Sequence, residues 1–405
     1  NACRVGRGAE VLSTSRITVQ AQLDADLAAA VDGGFMPGMA VAVSSAEERL
    51  YTGTFGYRRL GDATPMTTDT VCWIASMTKA VTATAAMMLV ERRLLDLDRP
   101  AIELLPELAA AEVLLGFSED GEAITRPVRT AITLRHLLTH TAGFSYDTWD
   151  SRIDRFRKQT GTPAVGSGQL KALTTPLVFE PGSDWNYSIG IDWAGRMVEA
   201  ASGQSLGDFM HENIFAPLKM TASGFRLRPE MQSRLAAVHQ RDATTQTLMA
   251  TDFALPQEVE FEGGGGCLYS TLDDYLAFCW LFLKHGRVDG QQLLAPATLA
   301  AMGANQIGDL RVKSLRSVQP HRSNDADFMP GIEKTWGFSF MINQADVPGR
   351  RRAGSLAWAG LSNCYYWIDP TTGITGVFIS QVLPFADPIA LGLFDRVEQA
   401  AYQMV

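Results

Sequence analysis

Ser76 and Lys79 stand in the run Ile74-Ala75-Ser76-Met77-Thr78-Lys79. Residues three apart on a helix are neighbours, so the two side chains would share a face. A serine hydroxyl becomes a nucleophile only with a base beside it. An ordinary lysine, with a pKa of ~10.4, is neutral in roughly one molecule in 2,500 at pH 7. Lowering it to ~7–8 takes about three units, or roughly 4 kcal/mol. Desolvation and a helix N-terminus both push that way. Ala80, Val81, Ala83, Ala85 and Ala86 supply an apolar helix around the lysine. The free amides and positive dipole end of a helix start can stabilise an oxyanion. Taken alone, the tetrapeptide reads rather as a capping serine and a solvated lysine.

Two further runs could complete such a site. Phe179-Glu180-Pro181-Gly182-Ser183-Asp184-Trp185-Asn186-Tyr187-Ser188 brings Tyr187 up to the start of a helix. A phenol held near an ammonium ion has a depressed pKa and can relay protons. Alone, Tyr187 reads as well as an aromatic core residue. Trp358-Ala359-Gly360-Leu361 lies between two strand-like runs. A glycine there admits a close backbone approach, and the Leu361 amide can act as a second oxyanion donor. Alone, it is a sheet-edge turn.

These residues need a scaffold, and the hydrophobic periodicity outlines one. Val19–Val31 reads as a helix stopped by Gly33-Gly34, followed by a hairpin of Met39–Ser44 and Arg49–Tyr57. A long helix begins near Ser76 and runs to about Arg93. Leu134–Thr139, Ile191–Ala201, Leu206–Ile214 and Leu272–Lys284 are further helices, the last with a capping box of Ser270 and Asp273. The period then changes. Gly337–Ile342, Gly354–Ala359, Asn363–Ile368 and Gly373–Val382 read as strands, and Pro388–Gln403 as a closing helix. This order predicts an α/β fold whose antiparallel sheet is built from both chain ends and flanked by the terminal helices, plus a mainly helical domain. Residues 1–70 and 330–405 would form the sheet domain and residues 71–329 the helical one, with the active site between them.

Composition narrows the function classes. The chain has 405 residues, 46% hydrophobic and 20% charged, which is ordinary for a folded protein and excludes disorder or a collagen-like chain. Its net charge of −9 (35 − 44) disfavours nucleic-acid and anionic-membrane partners. No apolar run reaches the length of a membrane span. Five cysteines, at positions 3, 72, 267, 279 and 364, give no disulfide framework and no CxxC. Buried free thiols in a reducing, cytoplasmic setting are the expectation, and Asn1–Val11 shows no apolar signal region.

Other patterns have a structural reading. Gly203-Gln204-Ser205-Leu206-Gly207 matches G-x-S-x-G but lies between two helices, so Ser205 reads as an N-cap. Lys334-Thr335-Trp336-Gly337 misses K-T-G and sits one strand too early. His136 and His140 lack the glutamate of H-E-x-x-H and read as packed helix residues. Gly263–Gly266 lacks the lysine of a P-loop and reads as a tight turn. No metal or cofactor site is expected.

The three runs in this order resemble the serine β-lactamase and penicillin-binding-protein superfamily. The resemblance is strongest to class C-like proteins: the family VIII carboxylesterases and the fungal statin acyltransferase. Leu134-Arg135-His136-Leu137-Leu138-Thr139-His140-Thr141-Ala142-Gly143 and Gly263–Thr271 extend it over about residues 20–400. It implies a β-lactamase/transpeptidase-like fold, with Ser76 as nucleophile, Lys79 and Tyr187 as the base system, and the Ser76 and Leu361 amides as oxyanion hole. Two departures stand out. Trp358-Ala359-Gly360 replaces the family's K-T-G, removing a cation and a hydroxyl that hold a drug's carboxylate. Tyr187-Ser188-Ile189 replaces Tyr-x-Asn. Trp358, Gly360 and Ile189 would thus make an apolar substrate site that favours neutral esters, with Arg351 or Arg352 left to reach a carboxylate. The expected activity is hydrolysis of short-chain carboxylic esters, small-molecule substrates, through an acyl-enzyme. A β-lactamase with some cephalosporin activity, an acyltransferase and a non-catalytic binding protein are the alternatives.

Overall fold

The computed structural model describes the backbone of residues 3–405 and the side chains from Ser15 onward. The Cys3 thiol and the side chains of Asn1–Val11 lie outside the described residues. Helix α1 (Cys3–Asp32) buries Leu23 and Leu27, four apart on one stripe, and ends at Gly34 in the left-handed region. Strands β1 (Gly38–Ser45) and β2 (Arg49–Gly56) pair antiparallel. Helix α2 (Thr78–Glu91) is apolar almost all round and is accordingly buried from Thr78 to Leu89. Helix α3 (Gly190–Ser202) stops at Gly203, also left-handed. Helix α4 (Leu272–Leu283) starts at Thr271, whose hydroxyl accepts from the Asp274 amide. The cap is therefore one residue later than the expected Ser270, whose hydroxyl pairs with that of Ser223 instead.

The C-terminal part supplies β3 (Lys334–Trp336), β4 (Met341–Asn343), β5 (Leu356–Gly360), β6 (Cys364–Asp369), β7 (Ile374–Ile379) and α5 (Pro388–Gln403). The sheet runs β3-β4-β5-β6-β7-β1-β2 with every neighbour antiparallel. The chain ends meet where β7 pairs with β1, Ala40 opposite Ile379. Helices α1 and α5 pack together, tied by Arg396 Nε to Asp26 Oδ2 at 2.6 Å, while α4 lies against β1 and β7. Apolar contacts run without a break from this sheet into α2 and α3.

Two strands are shorter than their sequence suggests. Gly337–Ile342 is a turn followed by β4: the Gly337 amide bonds the Phe340 carbonyl, and Ser339 takes a positive φ of 66°. Beyond Ile379 the chain leaves the sheet, and Val382–Leu383 pairs with the separate strand His239–Arg241. The hairpin of Glu112–Phe117 with Ala123–Pro127 groups its apolar residues as the run Val113-Leu114-Leu115 instead of alternating them, and the helix at Ser151–Thr160 has only Ile153 and Phe156 as apolar positions, so neither has a clear periodic signal. Cys72, Cys279 and Cys364 are buried free thiols, and Cys267 is a half-buried one. No described helix is long and apolar enough to cross a membrane.

Candidate active site

Ser76 lies in a 3₁₀ turn, Ala75–Met77, immediately before α2. Its neighbour Ala75 is buried with φ at 45°, a strained conformation for alanine that the surroundings must impose. They do so with several bonds. The Thr78 hydroxyl donates to the Ala75 carbonyl at 2.6 Å, the Tyr275 hydroxyl donates to the Met77 carbonyl at 2.9 Å, and the Trp73 amide donates to Gln381 Oε1 at 3.1 Å. The result is one partly exposed serine among buried residues.

Lys79 Nζ is 3.2 Å from Ser76 Oγ. It also donates to the Gly265 carbonyl at 2.5 Å and meets Tyr146 Oη at 2.9 Å. The side chain is fully buried. Burial lowers its pKa to about 7, against an opposing pull from the Asp192 carboxylate. An uncharged amine has two N–H donors and one lone pair. Gly265 and Tyr146 can occupy the donors, which leaves the lone pair for the Ser76 proton. The glycine turn 263–266 thus serves as the carbonyl support of Lys79. Asp192, on α3, accepts from the Gly265 amide at 2.9 Å through Oδ1, and burial raises its pKa to about 6.

The tyrosines differ from expectation. Tyr187 is buried, and Lys79 Nζ sits over its ring face, 4.7 Å from the centroid. Burial raises its pKa, outweighing the stabilising bonds from the Ser76 hydroxyl and the Trp358 indole N–H. The expected depression of this phenol by the ammonium does not occur. The phenol that touches Nζ belongs to Tyr146, on the loop after the helix Leu134–Leu138.

Ser76 opens into a cavity of about 90 Å³, bounded by Trp73, Tyr146, Trp149, Leu255, Cys267, Arg322 and Leu361 among others. The amides of Ser76 and Leu361 carry no hydrogen bond to another described residue, and both residues line this cavity. Gly360 is held for a different reason than ligand approach: a Cβ there would strike the Ile74 carbonyl. Strand β5 therefore packs directly on the backbone before Ser76. Trp358 does not narrow the cavity. It is buried, donates its indole N–H to Tyr187 Oη at 3.0 Å, and lines a separate cavity of about 120 Å³ with Phe328 and Tyr365. Ile189 is fully buried at the start of α3 and does not line the Ser76 cavity.

The beta-lactamase family pattern matches residues 23–397. The chain belongs to the beta-lactamase family. It is 33% identical over 390 residues to a monacolin J acid methylbutanoyltransferase of Aspergillus terreus, covering 92% of this chain and 93% of that one. It is 33% identical over 379 residues to a lovastatin esterase of Penicillium rubens, covering 89% and 93%. A solved simvastatin synthase of Aspergillus terreus superposes with a TM-score of 0.81 at 31% identity, over 94% of this chain and 97% of that one. The architecture is the β-lactamase/transpeptidase-like fold, and the protein is an enzyme of the serine β-lactamase superfamily.

Within this beta-lactamase-family chain the other patterns have structural partners. Ser205 caps the helix Leu206–Met210 by accepting from the Asp208 amide at 3.1 Å. His136 meets Thr133 and His140 meets Ser188, so the two rings serve different neighbours. Lys334 is held by Asp327 and the Phe328 carbonyl. Neither arginine expected to reach a carboxylate lines the Ser76 cavity. Arg351 is buried in a two-bond pair with Glu398, at 2.7 and 2.8 Å, and Arg352 pairs with Asp346 at 3.0 Å. Sequence reasoning missed Tyr146 and Asp192, which meet Lys79 directly and through Gly265. Tyr146 closes the His140-Thr141-Ala142-Gly143-Phe144-Ser145 run, a glycine-bearing loop directly after a segment already singled out.

Proposed function

We propose that this protein forms an acyl-enzyme on Ser76 from short-chain carboxylic esters and hydrolyses it, as a carboxylesterase of the family VIII kind. The observation that carries this reading is the fully buried Lys79 at 3.2 Å from Ser76 Oγ, with its pKa brought to about 7. About half of such lysines are uncharged at neutral pH, against roughly one in 2,500 for an ordinary one. Uncharged Lys79 takes the Ser76 proton as Oγ attacks the ester carbonyl carbon. The Ser76 and Leu361 amides then hold the oxyanion. The carbon–oxygen bond to the leaving alcohol breaks, and that oxygen takes a proton from the Lys79 ammonium, while the Tyr187 hydroxyl beside Ser76 hydrogen-bonds the departing oxygen. Water then attacks the acyl carbonyl by the same steps in reverse.

An alcohol in place of water turns the same cycle into acyl transfer. The relatives support this second reading at least as well as the first, since a methylbutanoyltransferase and an esterase both align along nearly the whole chain. One experiment tests both. The protein is supplied with p-nitrophenyl butyrate in the presence and absence of a primary alcohol. Nitrophenol release without butyrate ester of the added alcohol supports the esterase. Formation of that new ester supports the transferase. No nitrophenol release, or release that survives Ser76→Ala, overturns the acyl-enzyme.

A further inference from the structure

We propose that Arg322 is a carboxylate-recognising subsite of the Ser76 cavity, so that esters bearing a carboxylate on the acyl or alcohol part are favoured over neutral ones. The inference rests on the acyl-enzyme reading above and adds a substrate class to it.

Among the described residues lining this cavity Arg322 is the one cation. Its side chain is 36% exposed, so it is neither sealed in the core nor fully hydrated. Its contacts are long. Nη1 stands 3.7 Å from Asp147 Oδ2 and 3.4 Å from Gln319 Oε1. Charge-assisted bonds made by a committed guanidinium fall near 2.7–2.9 Å, as those of Arg351 to Glu398 do. A guanidinium offers five N–H donors in a fixed fork. Arg322 therefore keeps donors available on the cavity side.

The residue is also well placed. The Arg322 amide bonds the Gln319 carbonyl, and its own carbonyl accepts from the Phe385 amide, both at 2.9 Å. Val318 N bonds the Thr148 carbonyl at 2.9 Å, and Trp149 donates its indole N–H to Ser323 Oγ at 3.1 Å. This clamps the arginine's segment to the loop that carries Tyr146, the partner of Lys79. Much of the remaining wall is apolar: Trp73, Trp149, Leu255 and Leu361. A carboxylate entering such a wall loses hydration and needs a paired cation. A planar fork matches its two oxygens. Strand β5 offers no cation or hydroxyl for the purpose, because Trp358 is buried against Tyr187. Asp147 opposes the anion, since it also lines the cavity and is only loosely tied to Arg322.

The test compares kcat/KM for neutral p-nitrophenyl butyrate with two anionic esters, mono-p-nitrophenyl glutarate and 4-(butanoyloxy)benzoate. The readout is the anionic-to-neutral ratio. Arg322→Gln should lower it roughly tenfold for at least one anionic ester, the loss expected for one charge-assisted hydrogen bond. Arg322→Lys should fall between, keeping charge but not the fork. Asp147→Asn should raise the ratio. Arg316→Gln, at an exposed arginine outside the cavity and paired with Asp325, should leave it unchanged. Ratios in Arg322→Gln within about twofold of the unmodified protein for both anionic esters overturn the inference. So does a fall in Asp147→Asn as large as in Arg322→Gln, which would mark a purely structural pair. If the unmodified protein turns over none of the three esters, the acyl-enzyme reading fails first and this inference falls with it.

Discussion

Asp192→Asn isolates the electrostatic control of Lys79. The carboxylate holds the Gly265 amide through Oδ1 at 2.9 Å, and the carbonyl of that same glycine accepts from Lys79 Nζ at 2.5 Å. One residue thus separates the two charges. A separation on the order of 7 Å at an effective dielectric near 20 gives ~2.4 kcal/mol, or about 1.7 pK units. The sign follows from the charges. Asp192 favours the ammonium and raises the Lys79 pKa, while burial lowers it to about 7. Asparagine keeps the acceptor for Gly265 and removes the charge. Lys79 should then lose its proton at lower pH, and the acidic limb of kcat/KM should move down by about one to two units. The limb of the unmodified protein should lie near pH 7, with activity rising as pH rises through it. The assay is p-nitrophenyl butyrate hydrolysis from pH 5 to 9, followed at the nitrophenol isosbestic wavelength, with thermal melts to establish that the fold is kept. A limb that stays in place, or moves up, in a folded Asp192→Asn protein refutes this origin of the lysine's basicity.

Tyr187→Phe should cut turnover by ~10²–10⁴, the usual worth of proton-transfer help, and combining it with Lys79→Ala should be no worse than about the worse single change; independent, multiplicative losses in steady-state kinetics would separate the two residues. Tyr146→Phe removes one polar partner of Lys79 Nζ and should lower kcat by about tenfold, measured on the same ester. Ser205→Ala should keep nearly all activity and lose ~0.5–2 kcal/mol in a denaturant melt as a missing cap; if this is the inactive variant, the nucleophile is elsewhere. Gly360→Ala places a methyl group against the Ile74 carbonyl and should lower both the melting temperature and kcat/KM, because β5 must shift away from the Ser76 turn.

What could be read in the chain was local or periodic. Ser76 and Lys79 are three residues apart, so helical geometry alone placed them together. The apolar run after Lys79 announced its burial, and burial is what lowers its pKa. The sheet strands and closing helix followed from the change of period near residue 330. Contacts distant in sequence were not legible. Tyr146 reaches Lys79 from 67 positions away, and Asp192 acts through Gly265, 73 positions further on. Tyr187 was expected at the ammonium because its segment resembles a known run. Only the packing reveals that its ring face, and not its hydroxyl, meets Nζ. The apolar character of Ile189 and Trp358 suggests pocket walls, yet it serves the core. Gly360 was noticed for its missing side chain, but the group that fills the space is the Ile74 carbonyl. Arg322 sits in an irregular segment with no periodic signal, so nothing in the sequence ties it to Ser76.

The most direct test is the covalent intermediate itself. The protein is mixed with p-nitrophenyl butyrate, quenched in acid within the burst phase, and examined by intact mass and peptide mapping. The mechanism predicts one butyryl group per chain on the peptide containing Ser76, absent in Ser76→Ala and accumulating in a Lys79→Ala protein only slowly. A butyryl group on Ser205 or another residue, or steady turnover with no trapped acyl group under any quench, would contradict a Ser76 acyl-enzyme.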